Sequence, residues 1–160
     1  MEEILEILEK NSKYSEEEIA AMVGKTVEEV RDTIKKYEED NTILGYPALI
    51  NWENTSKDSV IALIEVRVTP QRGEGFDKVA ERIYRFQEVK ACYLMSGGFD
   101  LTVIVEGKTM KEVALFVAEK LATQEGVLST GTHFILKKYK EEGTIFEGKI
   151  RDDREAIFIW

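Results

Sequence analysis

The sequence contains few of the residues that build metal centres, disulfides and nucleophilic active sites. Its 160 residues include one cysteine, Cys92, and one histidine, His133. A single cysteine excludes an internal disulfide, and one residue of each kind nearly excludes a zinc site made of cysteine and histidine. Both residues alternate with apolar neighbours, which indicates ordinary strand positions. We therefore expect no metal, no cofactor and no catalytic residues.

The sequence also lacks an apolar run long enough to span a membrane. Its first three residues, Met1-Glu2-Glu3, are acidic rather than basic. These features predict neither a membrane span nor a secretory signal peptide. We expect a cytoplasmic protein with no membrane partner.

Positive charge is scarce as well. The chain has 22 Lys and Arg against 31 Asp and Glu, for a formal net charge of −9. Residues 1–52 contain six Lys and Arg and thirteen Asp and Glu, a charge of −7, and the remaining 108 residues carry −2. Because DNA affinity comes largely from basic side chains that neutralise phosphates, this balance weighs against a polyanionic partner for the N-terminal part.

The first forty residues contain apolar residues at helical spacing, which predicts three helices. The apolar groups are Ile4/Leu5/Leu8, Ile19/Met22/Val23 and Val27/Val30/Ile34/Tyr37. Ser15 with Glu18, and Thr26 with Glu29, form capping-box patterns that mark the starts of the second and third helices. Gly24 between them can adopt the left-handed conformation that ends a helix sharply. The pattern is typical of a helix-turn-helix.

An extended stretch follows the third helix. Residues 42–50 include Pro47, which blocks a helix, and they lead into the polar segment 51–58. We place a domain boundary near residue 56, so that residues 1–56 form the helix-turn-helix domain with its linker.

The next part of the sequence repeats a strand, a helix and a strand. The predicted strands are Val60–Val68, Val89–Met95, Leu101–Val105 and Val127–Tyr139. The predicted helix faces are Phe76/Val79/Ala80/Ile83/Tyr84 and Met110/Val113/Ala114/Val117/Leu121, and Thr109 with Glu112 forms a third capping box. Two such units in tandem predict a βαββαβ, ferredoxin-like domain over residues 57–142, with both helices on one face of the sheet.

The strands are apolar on both faces. In the first strand Ala62, Ile64 and Val66 share one face, while Ile61 and Leu63 lie on the other. A sheet covered on one side only would expose too much apolar surface to water. We expect a second subunit to pack its own sheet there and bury about 800 Å² or more per partner. The alternative is that the helical domain of the same chain covers this face.

Residues 143–160 form a tail that regains apolar content in Ile145-Phe146 and Ala156–Trp160. An exposed Ile-Phe-Ile-Trp end would associate with other surfaces. The tail is expected to form a small extra hairpin or an oligomer contact.

The order of these elements resembles the leucine-responsive regulatory protein (Lrp/AsnC) family over residues 1–140. The matching segments are Ile4-Leu5-Glu6-Ile7-Leu8, Glu18–Gly24, Ile43-Leu44-Gly45-Tyr46, Ser96-Gly97-Gly98-Phe99-Asp100 and Val127–Thr132. The resemblance implies an α+β protein with a winged-type helix-turn-helix domain followed by a ferredoxin-like sensor and oligomerisation domain. It further implies a transcription regulator that pairs on a roughly palindromic promoter site in double-stranded DNA, assembles as a homodimer or larger homo-oligomer, and responds to an amino acid or related metabolite.

The candidate DNA-binding residues lie on and just before the third helix. They are Lys25, Thr26, Arg31, Thr33, Lys35 and Lys36. Basic side chains and amides at the helix start are suited to phosphates and base edges. Thr33 stands where the family usually has an arginine. The alternative for each residue is a solvated helix with ion pairs such as Arg31 and Lys35 against Glu28 and Glu39.

The candidate effector-binding residues lie in the loop between the two central strands and in the last strand. They are Ser96, Gly97, Gly98, Phe99, Asp100, Thr130 and Thr132. The glycines let backbone amides approach a ligand carboxylate, and Asp100 can accept from an α-amino group. The alternative is a glycine-rich hairpin in which Asp100 bonds only loop amides.

Two other functions compete with regulation. The sequence offers no activated nucleophile, metal set or Walker-type phosphate loop, which disfavours an enzyme. An amino-acid-sensing oligomeric scaffold, whose helix-turn-helix contacts protein instead of DNA, is favoured by the −7 charge of residues 1–52.

Overall fold

A computed structural model describes residues 2–70, 73 and 75–146. The chain divides into two compact units, of which the first ends at Leu49 and the second begins at Ile50. The boundary expected near residue 56 lies a few residues after this division. No helix in the described part of the chain is both long enough and apolar enough to cross a bilayer.

The first unit contains three helices, as predicted. They are α1 (Glu2–Lys10), α2 (Glu16–Val23) and α3 (Val27–Glu39). Each helix contributes to one small core in which Ile4, Ile19, Ala20 and Val30 are buried. Met22 was predicted to face this core but is 53% exposed, whereas Ala20 is buried.

The starts of α2 and α3 have the predicted capping geometry. Ser15 Oγ accepts from the N–H of Glu18 at 3.2 Å, and the Glu18 carboxylate accepts from the N–H of Ser15 at 2.8 Å. Thr26 and Glu29 repeat this exchange at 3.2 and 2.9 Å. Gly24 ends α2 at φ +65°, a conformation that costs glycine little because it has no Cβ. These contacts define the turn of the helix-turn-helix.

The segment after α3 is held to that helix. The N–H of Ile43 donates to the carbonyl of Tyr37 at 2.9 Å, and the Tyr46 hydroxyl donates to the Glu38 carboxylate at 2.8 Å. Burial, together with this carboxylate, raises the pKa of Tyr46 to about 12. Within the described residues, 42–51 pair with no other strand, so the wing of the domain is an extended segment rather than a hairpin.

The second unit has the predicted βαββαβ order. Its elements are β1 (Val60–Val68), α4 (Asp77–Tyr84), β2 (Val89–Leu94), β3 (Leu101–Gly107), α5 (Met110–Phe116), which runs into a π-helical turn (Val117–Leu121), and β4 (Val127–Phe134). The four strands form one antiparallel sheet in the order β2-β3-β1-β4. This arrangement is the predicted ferredoxin-like sheet.

The main core lies between the two helices and one face of the sheet. Alternate residues of β1, from Ala62 to Val68, are buried there, and Val79 and Ile83 of α4 pack against them. The predicted helix faces are shifted at their edges. Tyr84, Met110 and Ala114 are exposed, whereas Phe116 is buried. Phe116 meets Phe86 edge-to-face, with ring centroids 5.4 Å apart, and this large pair fills the edge of the core.

The last strand is shorter than predicted. β4 was expected to continue to Tyr139, but it ends at Phe134. Phe134 is opposite Ala62, and the N–H of Ile135 donates to the carbonyl of Ile61. Because β1 begins at Val60, the following residues have no neighbouring strand to pair with.

The capping box predicted at the start of α5 is half formed. Thr109 Oγ1 accepts from the N–H of Glu112 at 3.1 Å, as expected. The Glu112 carboxylate accepts from the N–H of Lys108 at 2.6 Å instead of that of Thr109. The helix start therefore has one conventional cap and one displaced bond.

A small hairpin follows β4. Its strands are β5 (Lys140–Glu141) and β6 (Thr144–Ile145), and the side-chain amide of Asn51 donates to the carbonyl of Phe146 at 3.4 Å. This hairpin begins before residues 143–160, for which a small hairpin or an oligomer contact was predicted, so that prediction for the tail stays open. The apolar end of the tail, Ala156–Trp160, lies outside the described residues.

Candidate functional site

The exposed surface of α3 brings together three of the predicted DNA-contacting side chains. Arg31, Lys35 and Lys36 are all exposed on this helix, and Lys25 is exposed in the turn before it. Val30 is buried, and Val27 and Ile34 pack against the core on the opposite side. The helix therefore presents three basic side chains on a surface that is free of core contacts.

The two threonines in the predicted set are used by the helix itself. Thr26 Oγ1 caps α3, and it also donates to the Glu29 carboxylate at 2.8 Å. Thr33 Oγ1 donates to the backbone carbonyl of Glu29 at 2.7 Å, and its side chain is half-buried. Both hydroxyls therefore have partners within the chain.

Acidic side chains accompany the basic ones, with one difference from the expected pairs. Lys35 lies 3.8 Å from Glu39 one turn later, as expected. Arg31 was expected to pair with Glu28 but pairs with Glu16 of α2, at 2.7 Å. The reason is tertiary, since the close approach of α2 and α3 brings Glu16 next to Arg31. The hydrogen bond that Arg31 donates to the Glu16 carboxylate raises the pKa of Arg31.

The predicted effector loop joins β2 to β3 at one end of the sheet. Ser96, Gly97 and Gly98 are exposed, and Phe99 and Asp100 are half-buried. Gly97 has φ +134°, and a Cβ built there would contact nothing within 4 Å. The space above this glycine is open, so a ligand has free access to the backbone.

Asp100 ties this loop to the neighbouring strand. Its Oδ2 accepts from the N–H of Val68 at 2.8 Å, and its own N–H donates to the carbonyl of Val66 at 3.0 Å. The pairing of β1 with β4 shifts register between Arg67 and Val68. The carboxylate therefore accepts from a β1 amide next to this irregularity, and not from amides of its own loop as the glycine-rich hairpin alternative predicted.

The two predicted threonines lie in the middle of β4. Thr130 is opposite Val66, and Thr132 is opposite Ile64. Thr130 therefore lies at the same end of the sheet as the loop, but β1 separates β4 from β3. Thr132 lies two residues farther from the loop end. Within one chain, the seven residues line an end and an edge of the sheet rather than one enclosed pocket.

The face of the sheet opposite the helices contains a patch of apolar side chains. Leu63 is opposite Ile104 on one side and His133 on the other, and Ile61 is opposite Glu106. These apolar residues are only partly buried in the single chain. His133 Nε2 lies 3.5 Å from the Glu65 carboxylate at the polar end of the same face. We call this surface the open face.

A cleft of about 160 Å³ lies at the end of the sheet away from the effector loop. It is formed by the segment before β1 and the segment after β4. Lys57 Nζ lies 4.0 Å above the ring of Trp52 in its wall, and Ile61, Leu136 and Phe146 also line it. No local pattern in the sequence indicates this cleft, because it joins segments about 80 residues apart.

Cys92 and His133 occupy ordinary positions on β2 and β4, as predicted. Burial raises the pKa of the Cys92 thiol, which disfavours the reactive thiolate. In the part of the chain that the structure describes, no three His, Cys, Asp or Glu side chains converge as metal ligands would.

Comparison with known proteins supports both halves of the fold. The model of the Lrp/AsnC ligand binding domain matches residues 61–145. The uncharacterized HTH-type transcriptional regulator YugG of Bacillus subtilis is 53% identical over 158 residues, which are 98% of this chain and 94% of that protein.

Two solved structures have the same fold. The leucine response regulatory protein of Mycobacterium tuberculosis has a TM-score of 0.73 and 20% identity, covering 88% of this chain and 92% of its own. A transcriptional regulator of Neisseria meningitidis in complex with L-Met has a TM-score of 0.68 and 22% identity, and the match covers 87% of this chain and 89% of that one. Together with the helix-turn-helix and the βαββαβ sheet, these matches show that the chain belongs to the Lrp/AsnC family.

Proposed function

We propose that this protein is a transcription regulator that binds double-stranded promoter DNA through α3 and responds to an amino acid through its βαββαβ domain. The observation that carries this proposal is the match with an HTH-type transcriptional regulator over 98% of the chain. The exposed basic side chains of α3, which begins at the Thr26 cap after the turn at Gly24, support it as an element that can enter a major groove. No catalytic activity is proposed.

The negative charge of the helical domain is the main objection to DNA binding. Part of that charge is engaged within the domain, since Glu29 caps α3, Glu16 holds Arg31 and Glu39 pairs with Lys35. A carboxylate that neutralises a neighbouring cation repels phosphates less than a free one does. The affinity of each helical domain is nevertheless expected to be modest, so two domains must act together.

A homodimer provides the two helical domains. We propose that the open face packs against the same face of a second copy, because partly exposed Ile61, Leu63 and Ile104 would then leave water. A self-complementary sheet-to-sheet contact is the usual twofold solution for such a surface. The alternative cover is the helical domain of the same chain. Light scattering distinguishes the two, because a mass of one chain at micromolar concentration would reject the dimer.

The effector is proposed to be an amino acid bound near residues 96–100. Support comes from the open space above Gly97 and from the half-buried carboxylate of Asp100 nearby. A regulator of the same fold from Neisseria meningitidis is known in complex with L-Met. Since Thr130 and Thr132 are separated from the loop by β1, a complete site requires surfaces from a neighbouring subunit or dimer.

DNA binding is tested by fluorescence anisotropy with duplexes from the promoter of the protein's own gene, over a range of salt concentrations. A regulator should prefer certain duplexes, and its affinity should fall as salt rises, because bound cations are released from the phosphates. The second candidate is a scaffold whose helix-turn-helix contacts protein, which the −7 charge favours. That protein would show neither sequence preference nor a salt slope.

Effector binding is tested by a thermal-shift screen of the free amino acids. A ligand that binds only the folded assembly raises its melting temperature, and the rise grows with the logarithm of the ligand concentration once this exceeds the Kd. An amino acid that raises the melting temperature should also change the anisotropy titration with DNA. If none of the twenty amino acids changes the melting temperature, the effector proposal is rejected. The result of the DNA-binding experiment would be unaffected.

A further inference from the structure

Arg31 is the only arginine in the helical unit, and its side chain is held from one side. Its Nε donates to Glu16 Oε2 at 2.7 Å, and Nη2 lies 2.7 Å from the same oxygen. Glu16 is the first residue of α2, whereas Arg31 lies in the second turn of α3. The two side chains remain 36% and 57% exposed. The pair therefore joins the two helices at the surface, not in the core.

The geometry of this pair leaves the far end of the guanidinium available. Nε and the adjacent hydrogen of Nη2 point to Glu16, and Nη1 with the outer hydrogen of Nη2 has no partner within the described residues. Those two remaining N–H groups are parallel and form the end of the fork. A parallel pair of donors is the arrangement that binds O6 and N7 of guanine in the major groove.

The contact also restricts a long side chain. A free arginine loses much rotamer freedom when it binds, and an arginine already held by a carboxylate loses less. Lys35 lies near Glu39, but at 3.8 Å and with both side chains largely exposed. The ammonium groups of Lys35 and Lys36 are also point charges on flexible stems, with no planar fork to orient. Within the predicted DNA-binding set, only Arg31 combines a planar fork, an exposed end and a fixed orientation.

We infer that Glu16 is a positioning residue that orients Arg31 to read a guanine base. This inference rests on the proposed function, because it supposes that α3 enters the major groove. The inference also assigns a function to a carboxylate at the start of α2. Three carboxylates, Glu16, Glu17 and Glu18, occupy the first turn of α2 and disfavour a phosphate there. Glu18 caps the helix. The charge of Glu16 lowers the affinity for phosphates, but its contact with Arg31 increases the selectivity for one base.

The experiment compares affinity for two duplexes in each variant. One duplex is selected from a random pool by the wild-type protein, and the other is its scrambled sequence. The specificity ratio is the scrambled Kd divided by the selected Kd. Glu16→Ala removes both the charge and the acceptor, whereas Glu16→Gln removes the charge but keeps an acceptor oxygen. Glu17→Ala is the matched control, because it removes an equal charge one residue away.

The three variants have different expected outcomes. Glu16→Ala should lower the specificity ratio about tenfold, in line with the loss of one bidentate base contact. Glu16→Gln and Glu17→Ala should bind both duplexes more tightly and keep the ratio within about twofold, because less charge opposes the phosphates. Arg31→Lys keeps the charge but loses the fork, so it should lower the ratio like Glu16→Ala and relax the preference at one guanine. Circular dichroism at the assay temperature verifies folding.

Two results would overturn the inference while leaving the proposed function intact. One is a specificity ratio in Glu16→Ala equal to that of the wild type. The other is a ratio that rises in Glu16→Ala, since Glu16 would then be holding Arg31 away from DNA. Failure of the proposed function looks different, because the wild-type protein itself would then show no preference for any duplex.

Discussion

Asp100 and Val68 are joined by a 2.8 Å hydrogen bond from the backbone N–H of Val68 to Oδ2 of Asp100. The bond crosses from the effector loop to the end of β1, next to the register shift at Arg67. At such an irregularity a backbone amide can lose its ladder partner. A side chain proposed as part of a ligand site thus also has a structural role, and the two roles can be separated.

The structural role of Asp100 predicts a loss of stability. Asp100→Ala should lower the free energy of unfolding by about 1–3 kcal/mol, because the amide of Val68 loses its acceptor. Asp100→Asn should lower it less, since its side-chain oxygen can still accept. Urea denaturation measures both. An alanine variant as stable as the wild type would show that water replaces the bond without cost.

The ligand role of Asp100 predicts a different response in the same two variants. Asp100→Asn keeps the bond to Val68 but loses the charge that would meet an α-amino group. With an amino acid that stabilises the wild type, we expect Asp100→Asn to lose most of the thermal shift. Asp58→Asn, at an exposed position before β1 and outside the effector loop, is the control because it removes an equal charge. An unchanged shift in Asp100→Asn would remove Asp100 from the effector site.

Thr26 also has two possible roles, in the helix cap and in DNA contact. Thr26→Ala should destabilise the helical unit by about 1 kcal/mol, because the N–H of Glu29 loses its acceptor. Thr26→Ser should keep the cap and most of the stability. DNA affinity is then measured well below the melting temperature. If DNA affinity falls only in the variants that lose stability, Thr26 acts through the helix. A loss of DNA affinity in a stable Thr26→Ser variant would instead indicate a direct contact by the methyl group.

If the open face is the dimer interface, a charge introduced at its centre should prevent assembly. Leu63 lies in β1 between Ile104 and His133, at the middle of this surface. Leu63→Lys should reduce the light-scattering mass from two or more chains to one, because a lysine buried between two sheets would be desolvated without a partner. Arg67→Gln, on the same face and exposed at the end of β1, should leave the mass unchanged. Equal masses for both variants would place the interface elsewhere.

Glu106 predicts a loss of stability in acid. Burial acts to raise its pKa, but hydrogen bonds from Lys57 at 3.0 Å and Ser59 at 2.9 Å outweigh that effect and lower the pKa. A carboxyl group whose folded pKa is depressed stabilises the fold above its unfolded pKa, and this contribution disappears as pH falls through the folded value. The melting temperature of the wild type should therefore exceed that of Glu106→Gln near pH 7. The difference should shrink below about pH 4. A constant difference would exclude ionisation of Glu106 as its cause.

Much of the fold was predictable because its signals are local. Caps at Ser15 and Thr26, the stop at Gly24 and the alternation from Ala62 to Val68 depend on residues within a few positions of one another. Such patterns can be read along one segment, since helical and strand periods recur within it. The errors fall where the outcome depends on a distant segment. β4 ends at Phe134 because β1 begins at Val60.

The candidate sites also combine features that follow from local sequence with features that depend on distant contacts. The sequence by itself determined the three helices, the duplicated βαβ units and the family, and it identified the residues of α3 and of the glycine loop. Only the tertiary structure decided that Arg31 is held by Glu16, fifteen residues away, and that Asp100 bonds Val68, thirty-two residues away. The physical reason is that periodicity and capping act over a few residues, whereas the direction of a charged side chain depends on whichever element packs beside it.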